Sequence, residues 1–501
     1  MLRQVALLLD IENRRLHTRL KSLLTENAAL KGQDASSLQQ ELFRLQDLLA
    51  QREHALFGRS SEKRQHECAA TGATATAEPA ARKQPGHGPK TQPALPIIEA
   101  EHDLDEADKV CPKCGGKLCE MKGQFEESEE IDVVERKFVL TKHKRKKYRC
   151  GCNAHIETAF GPQKLAPNSR YSIDFAIEVA IAKYLDHMPL ERQVRMMRRE
   201  GLDVDSQTLW DQIELLARQL NVLPELILKH LMKKLVLGAD ETHWLMLTSQ
   251  GREQENKRWY VWNVCGDDGV FYRILDSRSH EAAGELLAQY DGTVMCDGYT
   301  AYEKLRKTGG RFRLAHCWSH ARRKFIEAEK SYAREAGAII ALIDELFAIE
   351  RLCATTTGPP DDEERLRFLA RLREDRSLWV IKALECWGLD LARKVLPKST
   401  MGKALKYMAG LWLGLTRFLN DPRVPLSNNA SERAQRGLVV GRKNHYGSKS
   451  KRGTEVAALF YTLIESAKLC GLEPKAYLRL AVQTVLRGET PPLPHELARA
   501  A

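Results

Sequence analysis

The chain has 501 residues, 43% of them hydrophobic, and a formal net charge of +11. A single core rarely grows past about 250–300 residues, so several domains are expected, and the positive balance favours a polyanionic partner. No apolar run approaches the roughly 20 residues of a membrane span, so no spanning helix is expected, and twelve cysteines without an export signal read as reduced thiols in a cytoplasm.

Residues 1–65 read as a charged helical region. Leu38, Leu42, Leu45, Leu49 and Leu56 recur in steps of four and three, with Arg52 in the remaining position. This is an a/d seam that fits a coiled coil and equally a lone amphipathic helix packed on its own chain. Residues 66–104, rich in Ala, Thr, Gly and Pro, read as a flexible linker. In residues 105–158, CPKCGG and CGC place Cys111, Cys114, Cys150 and Cys152 as four soft ligands for a structural zinc ion. The second pair is unusually tight, so Cys119 and His155 stand as alternative ligands. Between the pairs, Lys144, Arg145, Lys146 and Lys147 form a basic run suited to phosphate, or simply a solvated one.

Residues 160–228 read as helical. PLERQVRMMRREG predicts a helix ending at Gly201, and a second helix follows with Ser206 as its cap. That is the outline of a helix-turn-helix, which ordinary helical hairpins share. From 229 the pattern changes. KLVLGAD, RWYVWNVC and VFYRILD read as three strands linked by hairpins. They are followed by helix, strand (GTVMCD), helix, strand (RFRLAHC) and helix. That order predicts a multidomain α/β chain whose core, residues 229–456, is ribonuclease-H-like, with a helical insertion at about 330–425. Residues 457–501 read as a C-terminal helical region.

In that fold the first and fourth strands are neighbours. Asp240 and Asp297 each end one of them, at the carboxyl edge where open α/β sheets place their sites. Adjacent carboxylates repel unless a cation neutralises them, and hard oxygen ligands favour Mg²⁺ or Mn²⁺. NNASERAQRGL opens a helix with Asn428, Glu432 and Arg436 on one face. Glu432 is thereby a third metal ligand, and Arg433, Arg436, Arg442 and Lys443 are placed to hold a polyanion. His316, Trp318, His320 and Arg322 in AHCWSHARR either line the same channel or pack the core.

GADETHW, CDGYTAY, AHCWSHARRKF and NNASERAQRGLVVGRKNHYGS resemble the IS66-type insertion-sequence transposases, a DDE class. LFGRSSEK, CPKCGG and LFYTLIESAKLCGLEPKAYL are similar to that family's N-terminal, zinc-binding and C-terminal segments. The resemblance implies Asp240, Asp297 and Glu432 as the catalytic triad. It implies two-metal strand cleavage and strand transfer on double-stranded DNA, at transposon ends and target. It also implies a homo-oligomer, accessory proteins from the same element and a place at the bacterial nucleoid. A structure-selective nuclease with the same core, or a DNA-binding regulator that does not cut, are the rival readings.

Overall fold

A computed structural model describes residues 138–149, 156–167, 169–247, 258–356 and 363–500. The leucine seam and all four zinc-site cysteines, with Cys119 and His155, lie outside the described residues.

The first described elements are a small antiparallel pair, β1 (Lys147–Arg149) and β2 (Ile156–Thr158). Four helices follow: α1 (Ile173–Tyr184), α2 (Leu190–Arg199), α3 (Ser206–Gln219) and α4 (Leu223–Leu231). The cap of α3 is Asp205 rather than the expected Ser206. Its carboxylate accepts from Thr208 N at 2.6 Å, and a charged oxygen at that position also complements the helix dipole. Gly201, with φ +85°, makes the left-handed turn between α2 and α3 that a side chain would strain.

The central sheet has five strands: β3 (Val236–Leu245), β4 (Arg258–Cys265), β5 (Val270–Leu275), β6 (Thr293–Cys296) and β7 (Arg313–His316), in the order β5-β4-β3-β6-β7. β3, β4 and β5 pair antiparallel, whereas β6 and β7 run parallel to β3. The parallel half needs crossovers, and helices supply them: α5 (His280–Leu287) before β6, then α6 (Thr300–Lys307) before β7. The expected adjacency of the first and fourth strands is therefore present as β3 beside β6.

Beyond β7 come α7 (Trp318–Glu329), α8 (Ala333–Thr356), α9 (Glu363–Leu372), α10 (Leu378–Lys394), α11 (Thr400–Gly410) and the single turn α12 (Trp412–Leu415). The helices from α8 to α12 fall in the helical insertion expected at about 330–425, and α7 is the helix expected after the last core strand. α13 (Asn429–His445) then returns to the sheet across β3 and β4. The chain closes with α14 (Lys451–Leu469), α15 (Pro474–Leu486) and α16 (Pro494–Ala500).

Two apolar clusters hold this together. One joins α1, α3 and α4, the antiparallel strands and the C-terminal helices, with Ile177, Leu216, Val264, Phe460 and Leu478 all buried. The other joins the ends of β6 and β7 to α7 and the insertion, through Met295, Phe325, Ile343 and Leu405. α14 crosses the boundary expected at residue 456. Ser466 and Thr462 on it accept from Val270 N and Tyr272 N, at 3.0 and 3.1 Å, so it belongs to the sheet's packing. Among the described residues, no helix is long and apolar enough to cross a membrane.

Candidate active site

β3 alternates its side chains between two environments, as the pleat requires. Gly238, Asp240 and Thr242 face α13. A Cβ on Gly238 would lie 2.1 Å from Ser431 Oγ, so glycine lets the helix come this close. Glu241 points to the other face, where it accepts from Arg278 Nη2 at 2.6 Å and from Tyr302 OH at 2.8 Å. Asp240 was expected at the end of its strand and is instead in the middle of β3. Antiparallel pairing with β4 carries the strand on to Leu245, while parallel pairing with β6 ends at Gly238. Asp240 therefore stands just past the carboxyl edge of the parallel half of the sheet.

Asp297 is the residue after β6, as expected. Its Oδ1 accepts from Tyr299 N at 2.9 Å, which closes the turn into α6. Gly298 has φ +92°, and a Cβ there would meet Leu411 at 2.5 Å. The Tyr407 hydroxyl donates to the Asp297 carbonyl. Both Tyr407 and Leu411 come from the end of α11, so the insertion sets the Asp297 turn. Nothing in the local sequence signals this, because the contact spans 110 residues.

Glu432 sits in the first turn of α13. Asn428, the cap residue, is buried and ties three elements together. Its N–H donates to Cys317 Sγ at 3.2 Å, and its Nδ2 donates to Ala239 O on β3 at 3.0 Å. Cys317 N in turn donates to Cys296 O, beside Asp297, at 3.1 Å. Hydrogen bonds thus link the neighbours of all three acids. Deeper along α13, Asn263 on β4 donates to Ser431 O at 3.3 Å and accepts from Gln435 at 3.1 Å.

The electrostatics fit this gathering. The Asp240 carboxyl is pushed up to about 8, first by burial and then by the negative charges of Glu241, Asp297 and Glu432. Glu241 is also raised by burial, but Arg278 and Tyr302 oppose the rise and leave it fully bonded. Glu432 Oε1 is buried without a hydrogen-bond partner, and His320 Nδ1, also buried and unpartnered, lies 3.7 Å away. One ligand atom each from Cys317, His320 and Glu432 fall within 4.8 Å of one another. That set joins one hard oxygen to a thiol and an imidazole; the Asp240 and Asp297 carboxylates, coupled by charge to Glu432, are the further hard oxygens that suit a divalent cation. His320 was foreseen only as a channel or packing residue; its contact with Glu432 joins residues 112 positions apart in sequence (432 − 320).

The other expected residues separate into two groups. Arg433, Arg436 and Lys443 are exposed on the outer side of α13, and Lys144, Arg145, Lys146 and Lys147 are exposed on and before β1. Arg442 turns inward instead, donating to Thr242 Oγ1 at 2.8 Å and to the His243 carbonyl. Arg322, expected to face polyanion, makes a two-pronged contact with Asp344 at 2.5 and 3.0 Å and clamps α7 to α8. Trp318 is fully buried with Nε1 donating to Leu415 O at 2.8 Å, and His316 is buried against Gly414, so both pack the core.

Residues 168–456 match the family described as "Transposase IS66 family", and residues 108–153 match the zinc-finger binding domain of transposase IS66. The chain belongs to the IS66 family of transposases, and its function is that of a DNA transposase that carries a zinc-finger domain. Among its relatives are two uncharacterized proteins of Sinorhizobium fredii. y4jD is 29% identical over 81% of this chain and 79% of its own length, and y4qI is 30% identical over 72% and 68%. The Mos1 transposase paired-end complex with left transposon end is similar over 31% of this chain and 61% of that one, at 11% identity and a TM-score of 0.12.

Proposed function

We propose that Asp240, Asp297 and Glu432 are the metal-binding triad of a DDE transposase with a ribonuclease-H-like core. The observation that carries this reading is the placement of three carboxylates, on β3, at the end of β6 and in the first turn of α13, near enough that Asp297 and Glu432 add to burial in raising Asp240. A pair of Mg²⁺ or Mn²⁺ ions held by these oxygens would supply an activated nucleophile and a stabilised leaving oxygen for phosphodiester cleavage and strand transfer. Asp240 and Asp297 hold their oxygens on the rigid sheet edge. Glu432 brings its oxygen from a helix that Asn428 fixes to β3. Arg433, Arg436 and Lys443 draw the phosphate backbone of double-stranded DNA, at transposon ends and target, toward that edge.

The zinc finger needs four ligands, and Cys111, Cys114, Cys150 and Cys152 all lie in the matched segment 108–153. We assign them to one structural Zn²⁺, with the basic run Lys144 to Lys147 beside it as a DNA contact. The leucine seam in residues 1–65 would make the transposase a homo-oligomer that works with accessory proteins of its element.

Cleavage of duplex DNA carrying the element's ends, with Mg²⁺, tests the triad. Glu432→Gln removes a charge and almost no volume, so DNA binding should persist while cleavage and joining fall by orders of magnitude. Cutting by the Gln variant near the wild-type rate would remove Glu432 from the site. For the zinc assignment, metal analysis of the purified chain should find about one Zn²⁺, lost in Cys111→Ser.

A further inference from the structure

The helix-turn-helix outline assigns base reading to its second helix. The charges do not support that. α3 carries Asp211 and Glu214 behind its Asp205 cap, and its Arg218 is bonded to Glu214 at 2.9 Å. A helix of that sign repels phosphate. The arginines lie on α2 instead.

Arg192, Arg195 and Arg199 recur at i, i+3 and i+7, which places them on one face of α2. All three are exposed. They line a cavity of about 350 Å³ together with Asp186, His187 and Asn444. One acid against three arginines leaves the cavity strongly positive. Its floor is the turn before α2, where His187 adopts φ +58°, a conformation uncommon for a side chain of this kind. His187 Nδ1 is buried without a hydrogen-bond partner.

This cavity is fixed to the helix that carries Glu432. A Cβ on Gly437 or Gly441 of α13 would meet the His187 ring at 3.5 or 3.2 Å, so two glycines one turn apart seat that ring. Asn444 Nδ2 donates to His187 O at 3.2 Å and closes the contact. Glu432 and Asn444 are 12 residues apart on one helix, which at 1.5 Å per residue is about 18 Å. The exposed flank of α13 between them carries Arg433, Arg436 and Lys443 and no acid. A basic path therefore runs from Glu432 along α13 to the α2 arginines.

We propose that Arg192, Arg195 and Arg199 grip the sugar-phosphate backbone of duplex DNA about five base pairs from the scissile phosphate, given ~3.4 Å per base pair along a strand. The direction of the path rests on the triad reading; the contact itself does not. Because arginines on phosphate carry no sequence information, the grip positions the duplex and leaves recognition of the ends to other parts of the chain.

The test is equilibrium binding of the full chain to duplex DNA across a series of salt concentrations, without Mg²⁺ or Mn²⁺. Binding is the readout, so failure of the triad reading would leave it untouched. Arg192→Gln, Arg195→Gln and Arg199→Gln together should lower the slope of log K against log salt by about 2–3, since each phosphate contact contributes roughly 0.9. The loss should be equal for end-sequence and unrelated DNA. A matched triple change of Arg371, Arg376 and Arg393 in the insertion, all exposed, should leave the slope unaltered. An unchanged slope in the α2 variant would overturn the proposal. So would an equal fall in the insertion variant, which would reduce the effect to net charge, and so would a loss confined to end-sequence DNA. Circular dichroism of each variant checks that it is folded.

Discussion

Two flanks of α13 gather charge in opposite senses. Toward the sheet, Asp240, Asp297 and Glu432 are gathered, and burial together with the charges of Glu241, Asp297 and Glu432 drives Asp240 up to about 8. Toward solvent, Arg433, Arg436 and Lys443 are exposed along α13, and Arg192, Arg195 and Arg199 on α2 line a cavity with Asp186 as its acid. Elsewhere the same protein pairs its charges locally: Arg322 with Asp344, Arg373 with Glu350, Arg278 with Glu241. Local pairing holds a fold together. Unbalanced gathering costs stability through self-repulsion and is relieved by an outside charge, a divalent cation on one flank and a polyanion on the other.

The largest effect should come from breaking the acidic flank. Asp297→Asn should lower end cleavage on the order of 10³–10⁴-fold, and adding Asp240→Asn should cost far less than the product of the two losses, because residues acting as one unit are not additive. Single-turnover cleavage rates check both statements. A smaller but structural effect should follow from Gly238→Ala. Its Cβ would lie 2.1 Å from Ser431 Oγ, so the buried Ser431 side chain must turn away or α13 must shift off β3. Overpacking of that kind costs about 1–3 kcal/mol, read from denaturant unfolding, and cleavage falls to the extent that α13 carries Glu432 away from Asp240.

The acidic flank also predicts a pH dependence. The folded Asp240 carboxyl holds its proton up to about 8, whereas the unfolded one releases it near its ordinary value of 3.8. Between those values the native state binds more protons than the unfolded state, so stability should fall as pH rises from about 4 to 8. With zinc retained and no Mg²⁺ or Mn²⁺ added, the melting temperature of wild type should drop across this window, and that of Asp240→Asn should drop less. The smallest effect belongs to a locally paired charge. Arg322→Gln should cost at most about 1 kcal/mol and leave the salt slope of DNA binding unchanged.

Much of the sheet was legible in the sequence because strand and helix periods are local, and because CDGY and SNNASER mark their acids within a few residues. Asp240 was misplaced to a strand end because Gly-Ala-Asp looks like a terminus, while its antiparallel partner on the strand that extends β3, Asn263, is 23 residues away (263 − 240). The Tyr407 and Leu411 brace on Asp297, the Cys317–Asn428 link and the His320–Glu432 contact each join segments about 110 residues apart, beyond the reach of any local pattern. The helix-turn-helix outline was legible as shape. The proposal that α2 rather than α3 meets DNA drew on its charge distribution and on His187, just before α2, lying against Gly437 and Gly441.

The central claim is that the three carboxylates act as one metal site. Calorimetric titration of Mn²⁺ into the zinc-loaded full chain tests it without catalysis. One or two ions should bind to wild type, and Asp240→Asn, Asp297→Asn and Glu432→Gln should each weaken or abolish that binding. Unchanged stoichiometry and affinity in Glu432→Gln would contradict the account and leave Glu432 as no more than a surface carboxylate beside His320.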